Sequence, residues 1–224
     1  YCIKKAVFDE NRYTAQEILD ALRANFVGYD EMLAYLRSIP KYGSGNQEAL
    51  ALVDRVLMSF TNTLKNYKNP MGGHGRPVIL GFIWVVEFGK EVGATPDGRL
   101  AGAPLAQSMS PQSASITNGV TTAINDATSL SLEQVSGGAS MMWDIDINWA
   151  KPEFVRPVIE SFVDLGGQVF QGNVVSIEKL RAAQINPEEH RDIIVRVGGF
   201  SARFTYLNKE MQEEIISRYK FTPA

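Results

Sequence analysis

Residues 196–204 read Arg-Val-Gly-Gly-Phe-Ser-Ala-Arg-Phe, and a β-type apolar run, Ile193–Val197, leads into them. The Gly198-Gly199 pair allows a tight turn, because glycine has no Cβ and reaches backbone conformations that other residues avoid. Taken alone, such a pair indicates only a turn between a strand and a helix. The arginine and aromatic residues on both sides make this stretch more specific than a glycine pair alone.

The composition of the 224-residue chain is that of an ordinary globular protein, with 45% hydrophobic and 21% charged residues. The formal net charge is −3 and no long run of one sign occurs, so nothing favours nucleic acid or an anionic membrane as a partner. We find no stretch of about 18 apolar residues and no signal-type N-terminus, and we therefore expect a cytoplasmic protein.

Cysteine and histidine are too few to indicate a disulfide or a metal site. The single cysteine, Cys2, cannot form an internal disulfide, which agrees with a reducing compartment. We expect it to be a buried small apolar residue. His74 and His190 lie far apart in the sequence, and His190 is expected in a short exposed helical turn.

The first 70 residues have the pattern of amphipathic helices. Thr14 and Glu17 form a capping box, and Asp30 opens a second helical segment that ends before Pro40. A third and longer helix carries an apolar stripe from Leu50 to Leu64. Such stripes indicate packing against a core.

The later part of the chain alternates apolar strand-like runs with helices. The run Pro77–Phe88 predicts a strand buried on both faces, and Gly81 within it predicts a close approach to the backbone. Further strands are predicted at Val169–Val175 and Ile193–Val197, and this alternation favours a parallel α/β arrangement. Three strands do not close a barrel, so we expect them to pair with more chain. The predicted helices are Pro152–Leu165, Ile177–Ala183 and Lys209–Tyr219, the last with Asn208 as its cap, and a turn is predicted at Thr95–Arg99.

Residues 196–204 resemble the radical loop of the glycyl radical enzymes, which stores a stable radical on the glycine before an aromatic residue. That glycine is Gly199 here. The resemblance extends over nearly the whole chain and departs from the family pattern at Ser44, Gln107, Ser108 and Gly172. It is carried by Ile3–Asp9, by Ile39–Gly43 (IPKYG), by Ala94–Arg99 (ATPDGR), by Pro104–Pro111 (PLAQSMSP) and by Gln171–Ser176 (QGNVVS).

The fold implied by this resemblance is the C-terminal part of a ten-stranded α/β barrel. Residues 1–93 would belong to the pyruvate formate-lyase-like barrel domain, and residues 94–224 would form the glycine radical domain. The family's second loop carries a cysteine followed two residues later by glutamate, whereas Cys2 is followed by Lys4. Cys2 is therefore not assigned a catalytic role. We expect the chain to be the C-terminal portion of a larger enzyme, in a truncated or a split form.

The chemistry implied by the resemblance is hydrogen-atom transfer. The Gly199 radical would take a hydrogen atom from a cysteine outside this chain, and the thiyl radical would attack the substrate. A separate activating enzyme with S-adenosylmethionine and an iron–sulfur cluster would install the radical, so the chain itself needs no bound cofactor or metal. The family is usually homodimeric. Its members cleave C–C, C–O, C–N or C–S bonds or add hydrocarbons to fumarate.

The resemblance also assigns roles around the glycine. Gly198 would let the loop fold tightly, Phe200 and Phe204 would anchor it by packing, and Arg196 or Arg203 would donate to backbone carbonyls. The remaining loop residues are Val197, Ser201 and Ala202.

Four residues near position 80 are expected to contact the substrate. Alternation along a strand would place Leu80, Phe82 and Trp84 on one face. The resemblance implies that this strand lines the pocket, and packing in the barrel core is the open alternative. Arg76 would pair with a carboxylate or a sulfonate.

The loop looks nearer to the arylsuccinate synthase, alkylsuccinate synthase or sulfonate-lyase branches than to pyruvate formate-lyase. Two alternatives stay open. A stand-alone radical-domain protein could restore a damaged or split lyase by binding to it. The chain could also be a plain α/β domain without a radical.

Overall fold

The computed structural model describes residues 1–219 of the chain. In that range, no helix combines the length and the apolar character needed to cross a bilayer. The helices are α1 (Ala15–Arg23), α2 (Asp30–Ser38), α3 (Gln47–Asn66), α4 (Trp84–Glu91), α5 (Gly119–Thr128), α6 (Pro152–Asp164), α7 (Ile177–Ile185) and α8 (Lys209–Ser217). The strands are β1 (Ser140–Met142), β2 (Val169–Gln171), β3 (Ile194–Arg196) and β4 (Ser201–Arg203).

The predicted helix starts are confirmed by their caps. The Thr14 hydroxyl accepts from the Glu17 N–H at 3.2 Å, and the Glu17 carboxylate accepts from the Thr14 N–H at 2.7 Å. The Asn208 side chain accepts from the Met211 N–H at 2.9 Å and so caps α8. These side-chain oxygens pair backbone donors that have no partner inside the helix. A short π-helix, Lys4–Asp9, precedes α1.

The prediction of a single buried strand at Pro77–Phe88 is wrong. Ile79 makes an isolated parallel bridge to Ala139, and the chain from Trp84 onward is helix α4. Val85, Val86 and Gly89 face the core from this helix. A short run of apolar residues satisfies strand and helix patterns alike, and here tertiary packing selects the helix for its second half.

The other two predicted strands exist, but they are shorter and belong to different sheets. β1 and β2 pair in parallel, with Met141 opposite Phe170, and α6 connects them. β3 pairs antiparallel with β4, with Val195 opposite Ala202. The glycine turn therefore joins two strands, whereas the Gly-Gly pattern alone indicated a strand followed by a helix. The predicted parallel arrangement is therefore confirmed for β1 and β2 and is wrong for β3.

Three clusters of buried side chains form the core. The first lies under the N-terminal helices and includes Cys2, which is 6% exposed, as predicted for a buried cysteine. The second joins α5, β1 and α6. The third packs the β3–β4 hairpin against α7 and α8 through Val195, Phe204 and Ile215. This third cluster fixes the base of the glycine turn.

The turn at residues 95–98 is held by a buried arginine. The Gly98 N–H donates to the Thr95 carbonyl at 3.0 Å, which confirms the predicted turn. Gly98 adopts φ +91°, and a Cβ there would lie 2.5 Å from the Arg37 Cγ, so both conformation and space require glycine. Arg99 is 6% exposed, and its guanidinium donates four hydrogen bonds to the carbonyls of Val92, Gly93, Leu100 and Ala103, at 2.8–3.1 Å.

Replacing Arg99 by methionine is expected to lower the free energy of unfolding by about 3 kcal/mol, because charge-assisted hydrogen bonds to four carbonyls are lost at once. The matched control is Arg156→Met on α6, whose exposed guanidinium pairs with Glu160. Its expected loss is below about 0.5 kcal/mol. Urea unfolding of both variants and the parent measures the difference. Equal losses of unfolding free energy in the two variants would show that the hydrogen bonds of Arg99 make no specific contribution to stability.

Candidate functional site

The Gly198–Gly199 turn lies at the tip of the β3–β4 hairpin. Gly199 adopts φ +75°, in the left-handed region that favours glycine. The Val197 N–H donates to the Phe200 carbonyl at 2.9 Å and closes the turn. Gly198 is buried, whereas Gly199 is exposed in this chain. The turn is thus buried at Gly198, whereas the Cα of Gly199 is accessible.

Three segments meet at Gly198 without room for a side chain. A Cβ on Gly198 would lie 2.3 Å from the Gln107 Nε2 and 3.1 Å from the Gly81 carbonyl oxygen. A Cβ on Gly81 would lie 2.8 Å from the Ser108 N, which confirms the close approach predicted at Gly81. The segments around positions 81, 107 and 198 therefore touch through main chain and one carboxamide. A Cβ at position 198 would displace the Gln107 carboxamide and press on the Gly81 carbonyl oxygen.

Residues 171–173 hold the turn from the side of β2. The Gln171 Oε1 accepts from the Gly199 N–H at 3.1 Å and from the Arg196 Nε at 2.8 Å. The Asn173 Nδ2 donates to the Arg196 carbonyl at 3.0 Å, and the Asn173 Oδ1 accepts from the Arg196 N–H. Two side chains from one short segment thus position both β3 and the amide of Gly199.

Of the aromatic and arginine residues within positions 196–204, Phe204 takes the expected position, whereas Phe200, Arg196 and Arg203 do not. Phe204 is fully buried and anchors the hairpin, but Phe200 is 40% exposed and does not anchor it by burial. Arg196 donates to the Gln171 side chain, and Arg203 donates to the Tyr206 hydroxyl at 3.4 Å. In residues 1–219, neither arginine side chain donates to a backbone carbonyl, so that expected role is wrong.

Arg218, which the sequence analysis did not single out, takes the role expected of Arg196 or Arg203. It lies just after α8 with its side chain 7% exposed. Its Nη2 donates to the Val197 carbonyl at 2.8 Å, and its Nη1 donates to the Arg196 carbonyl at 3.3 Å. The only sequence signal is the i,i+4 pair with Glu214, which predicts a helix-surface ion pair and not a contact with the turn.

A buried carboxylate lies next to Arg218. The Asp144 Oδ1 accepts from the Asn173 N–H at 2.8 Å and from the Asn173 Nδ2 at 3.0 Å. Burial raises the pKa of Asp144 to about 6, and the Arg218 guanidinium and the Asn173 hydrogen bonds oppose this shift. The carboxylate therefore links the end of β1 to the segment that holds the turn.

The four residues expected to contact substrate do not form one strand face. Phe82 packs against the turn, since a Cβ on Gly199 would lie 3.0 Å from its Cε1. Leu80 and Trp84 are about half exposed, and Trp84 belongs to α4, where it stacks on Phe88 with ring centroids 5.8 Å apart. Arg76 is exposed. Only the Phe82 side chain is placed at the turn by these contacts.

No set of three or more histidine, cysteine, aspartate or glutamate side chains in the described part of the chain is arranged to hold a metal ion. The acidic groups near the turn, Asp144 and Glu214, are both bound to Arg218.

The sequence matches the family described as pyruvate formate lyase-like over residues 1–89 and the glycine radical family over residues 105–205. The isethionate sulfite-lyase of Oleidesulfovibrio alaskensis is 32% identical over 225 residues, which cover 96% of this chain and 27% of that protein. The chain therefore spans about a quarter of the length of that relative.

Solved structures show the same fold. The glycerol-bound form of the B12-independent glycerol dehydratase from Clostridium butyricum matches with a TM-score of 0.91 and 35% identity, over 97% of this chain and 28% of that one. A glycyl radical enzyme from Archaeoglobus fulgidus matches with a TM-score of 0.89 and 32% identity, over 97% of this chain and 28% of that one. With both family matches and these structures in agreement, the chain belongs to the glycyl radical enzyme family.

Proposed function

We propose that Gly199 stores an organic radical on its Cα, and that the chain is the radical-bearing portion of an enzyme with lyase or dehydratase chemistry. The observation that carries the proposal is the position of Gly199 at the tip of a hairpin, within the region that matches the glycine radical family. The exposed Cα can be approached from outside, while its amide is held by Gln171.

A glycine suits this role for a physical reason. An unpaired electron on Cα is stabilised when it delocalises over the amide nitrogen and the carbonyl carbon, which needs a flat Cα. A side chain would clash with the flanking peptide groups in that geometry, and only glycine lacks the Cβ. The bond from the Gly199 N–H to Gln171 fixes the orientation of the preceding peptide plane.

The chemistry needs a second polypeptide segment. A thiol S–H bond of a cysteine outside this chain breaks, a C–H bond forms at Gly199, and the unpaired electron passes to sulfur. Such a site must exclude solvent to avoid side reactions. Gly199, Phe82 and Phe200 are all partly exposed here. This exposed apolar surface supports the proposal that the rest of the enzyme covers the turn.

The proposed arrangement follows the family. Residues 1–93 would complete a ten-stranded barrel and residues 94–224 would form the radical domain, of which residues 220–224 lie outside the described range. β1 lies between β2 and the segment at Ile79, and the further strands of a barrel would join beyond these two segments. A radical-SAM activating enzyme would remove the hydrogen atom from Gly199, and the assembled enzyme would be a homodimer.

The proposed reaction class is cleavage of a C–S or C–O bond. The relatives named above are a sulfite-lyase and a glycerol dehydratase, which supports the sulfonate-lyase branch over the arylsuccinate and alkylsuccinate branches. Phe82 is the strongest candidate for a substrate contact because it packs against Gly199. Arg76, Leu80 and Trp84 remain proposed contacts. The match of residues 1–89 to the lyase-like family favours an enzyme over a stand-alone rescue module.

Replacing Gly199 by alanine is expected to abolish the radical and turnover, because the added Cβ opposes a flat Cα. Electron paramagnetic resonance after anaerobic activation measures the doublet, and an activity assay measures turnover. The matched control is Gly166→Ala, since Gly166 has φ +82° and open space around its Cβ position. Both variants carry a similar backbone strain of about 1–2 kcal/mol. The Gly199→Ala methyl group also meets the Phe82 ring at 3.0 Å, so the melting temperature of each variant is measured to check that both are folded. A parent-like doublet in Gly199→Ala would refute the proposal.

Oxygen is expected to cut the activated protein near residue 199, because it adds to the Cα radical and leads to backbone cleavage there. Mass spectrometry of the intact polypeptide before and after exposure to air measures the truncation. Unactivated parent and activated Gly199→Ala serve as controls and should keep their full mass. A sample that shows the doublet and stays intact in air would contradict the assignment to a backbone radical.

A further inference from the structure

We propose that Arg218 is a positioning residue for the radical turn, and that it fixes Gly199 by holding the two carbonyls that precede the glycine pair. This inference rests on the proposed function of Gly199. Arg218 lies outside residues 196–204 and follows α8, so the turn depends on a helix that comes after it in the chain.

The guanidinium contacts two successive peptide groups at the base of the turn. Its Nη2 lies 2.8 Å from the Val197 oxygen, and its Nη1 lies 3.3 Å from the Arg196 oxygen. A planar guanidinium presents several donors in a fixed geometry and can bind two neighbouring acceptors at once. A lysine ammonium is a point charge on a flexible stem and fixes no such plane. The orientation of both peptide groups is therefore set by arginine specifically.

Arg218 is itself held by acidic groups from two sides. Glu214, one helical turn earlier, accepts from its Nε at 2.9 Å and also from its Nη2. The Asp144 Oδ2 lies 3.8 Å from its Nη1, with the aspartate side chain wholly buried. Because the guanidinium is enclosed between these carboxylates, its place relative to the turn is well defined.

These contacts close a ring around the end of β3. Arg218 lies next to Asp144, Asp144 accepts from Asn173, and Asn173 donates to the Arg196 carbonyl that also accepts from Arg218. The Arg196 carbonyl thus receives donors from two separate segments of the chain. Such a closed set of buried polar contacts fixes one geometry, since the loss of any member leaves others unpaired.

Helix capping does not account for the arrangement. An arginine at a helix C-terminus commonly interacts with the last carbonyls of its own helix. The carbonyls bound here lie 21 and 22 positions earlier in the sequence, on β3 and the turn. The side chain therefore stabilises the turn in addition to ending α8.

Hydrogen exchange of the full polypeptide measures the position of the turn directly. The variants are Arg218→Lys and Arg218→Met, and the control is Arg181→Met, an exposed arginine paired with Glu213 on α8. We expect exchange at the Val197 and Gly199 amides to rise at least tenfold in Arg218→Met and less in Arg218→Lys, with no change in the control. Parent-like exchange at these amides in a folded Arg218→Lys variant would overturn the proposal. If Arg218→Met does not fold, the result for Arg218→Lys is decisive.

A second readout separates positioning from general stability. After anaerobic activation, the half-life of the Gly199 doublet is expected to fall several-fold in Arg218→Lys, while its melting temperature changes no more than that of Arg181→Met. An unchanged half-life would overturn the positioning role. A parent protein that yields no doublet would instead refute the radical function, and the exchange experiment would still test whether Arg218 holds the turn.

Discussion

The contact of Gly198 with Gln107 and Gly81 is the constraint on which the rest of the site depends. The Gly81 main chain and the Gln107 carboxamide approach Gly198 closely because neither glycine carries a Cβ. A Cβ on Gly198 would lie 3.1 Å from the Gly81 carbonyl oxygen and 2.3 Å from the Gln107 Nε2. This contact seals the base of the hairpin and leaves Gly199 at its tip. With the turn in this position, the Gly199 N–H donates to the Gln171 Oε1 at 3.1 Å.

In this chain, buried arginines donate hydrogen bonds to backbone carbonyls, which in other proteins are paired within long sheets. The strands have three residues each, and many backbone carbonyls lie in irregular segments. Buried carbonyls need donors, and a guanidinium can supply several from one side chain. Arg99 binds four carbonyls around the turn at 95–98, and Arg218 binds two below the glycine turn. Arg99 therefore defines the geometry of an irregular segment, and Arg218 supports the glycine turn in addition to the short β3–β4 ladder.

The radical chemistry proposed for this chain lies at a single backbone carbon, the Cα of Gly199. Cys2 is not suited to supply the thiol for this chemistry. Its thiol is buried among the N-terminal helices and faces the Leu36 carbonyl at 3.9 Å. The proposed reaction therefore needs a thiol from elsewhere. Exposure of Gly199 in this chain agrees with that requirement, because the partner group must reach it directly.

The sequence by itself determined the features that arise from local physics. The capping box at Thr14, the cap at Asn208 and the close approach at Gly81 depend on neighbouring residues or on the absence of a Cβ, and all are present. The resemblance in residues 196–204 pointed to the glycine turn. Tertiary structure decided that the second half of the run 77–88 is helical, because apolar residues alone satisfy both patterns. It also decided that Arg218 holds the turn, since a contact between positions 20 or more residues apart leaves no local signal in the chain.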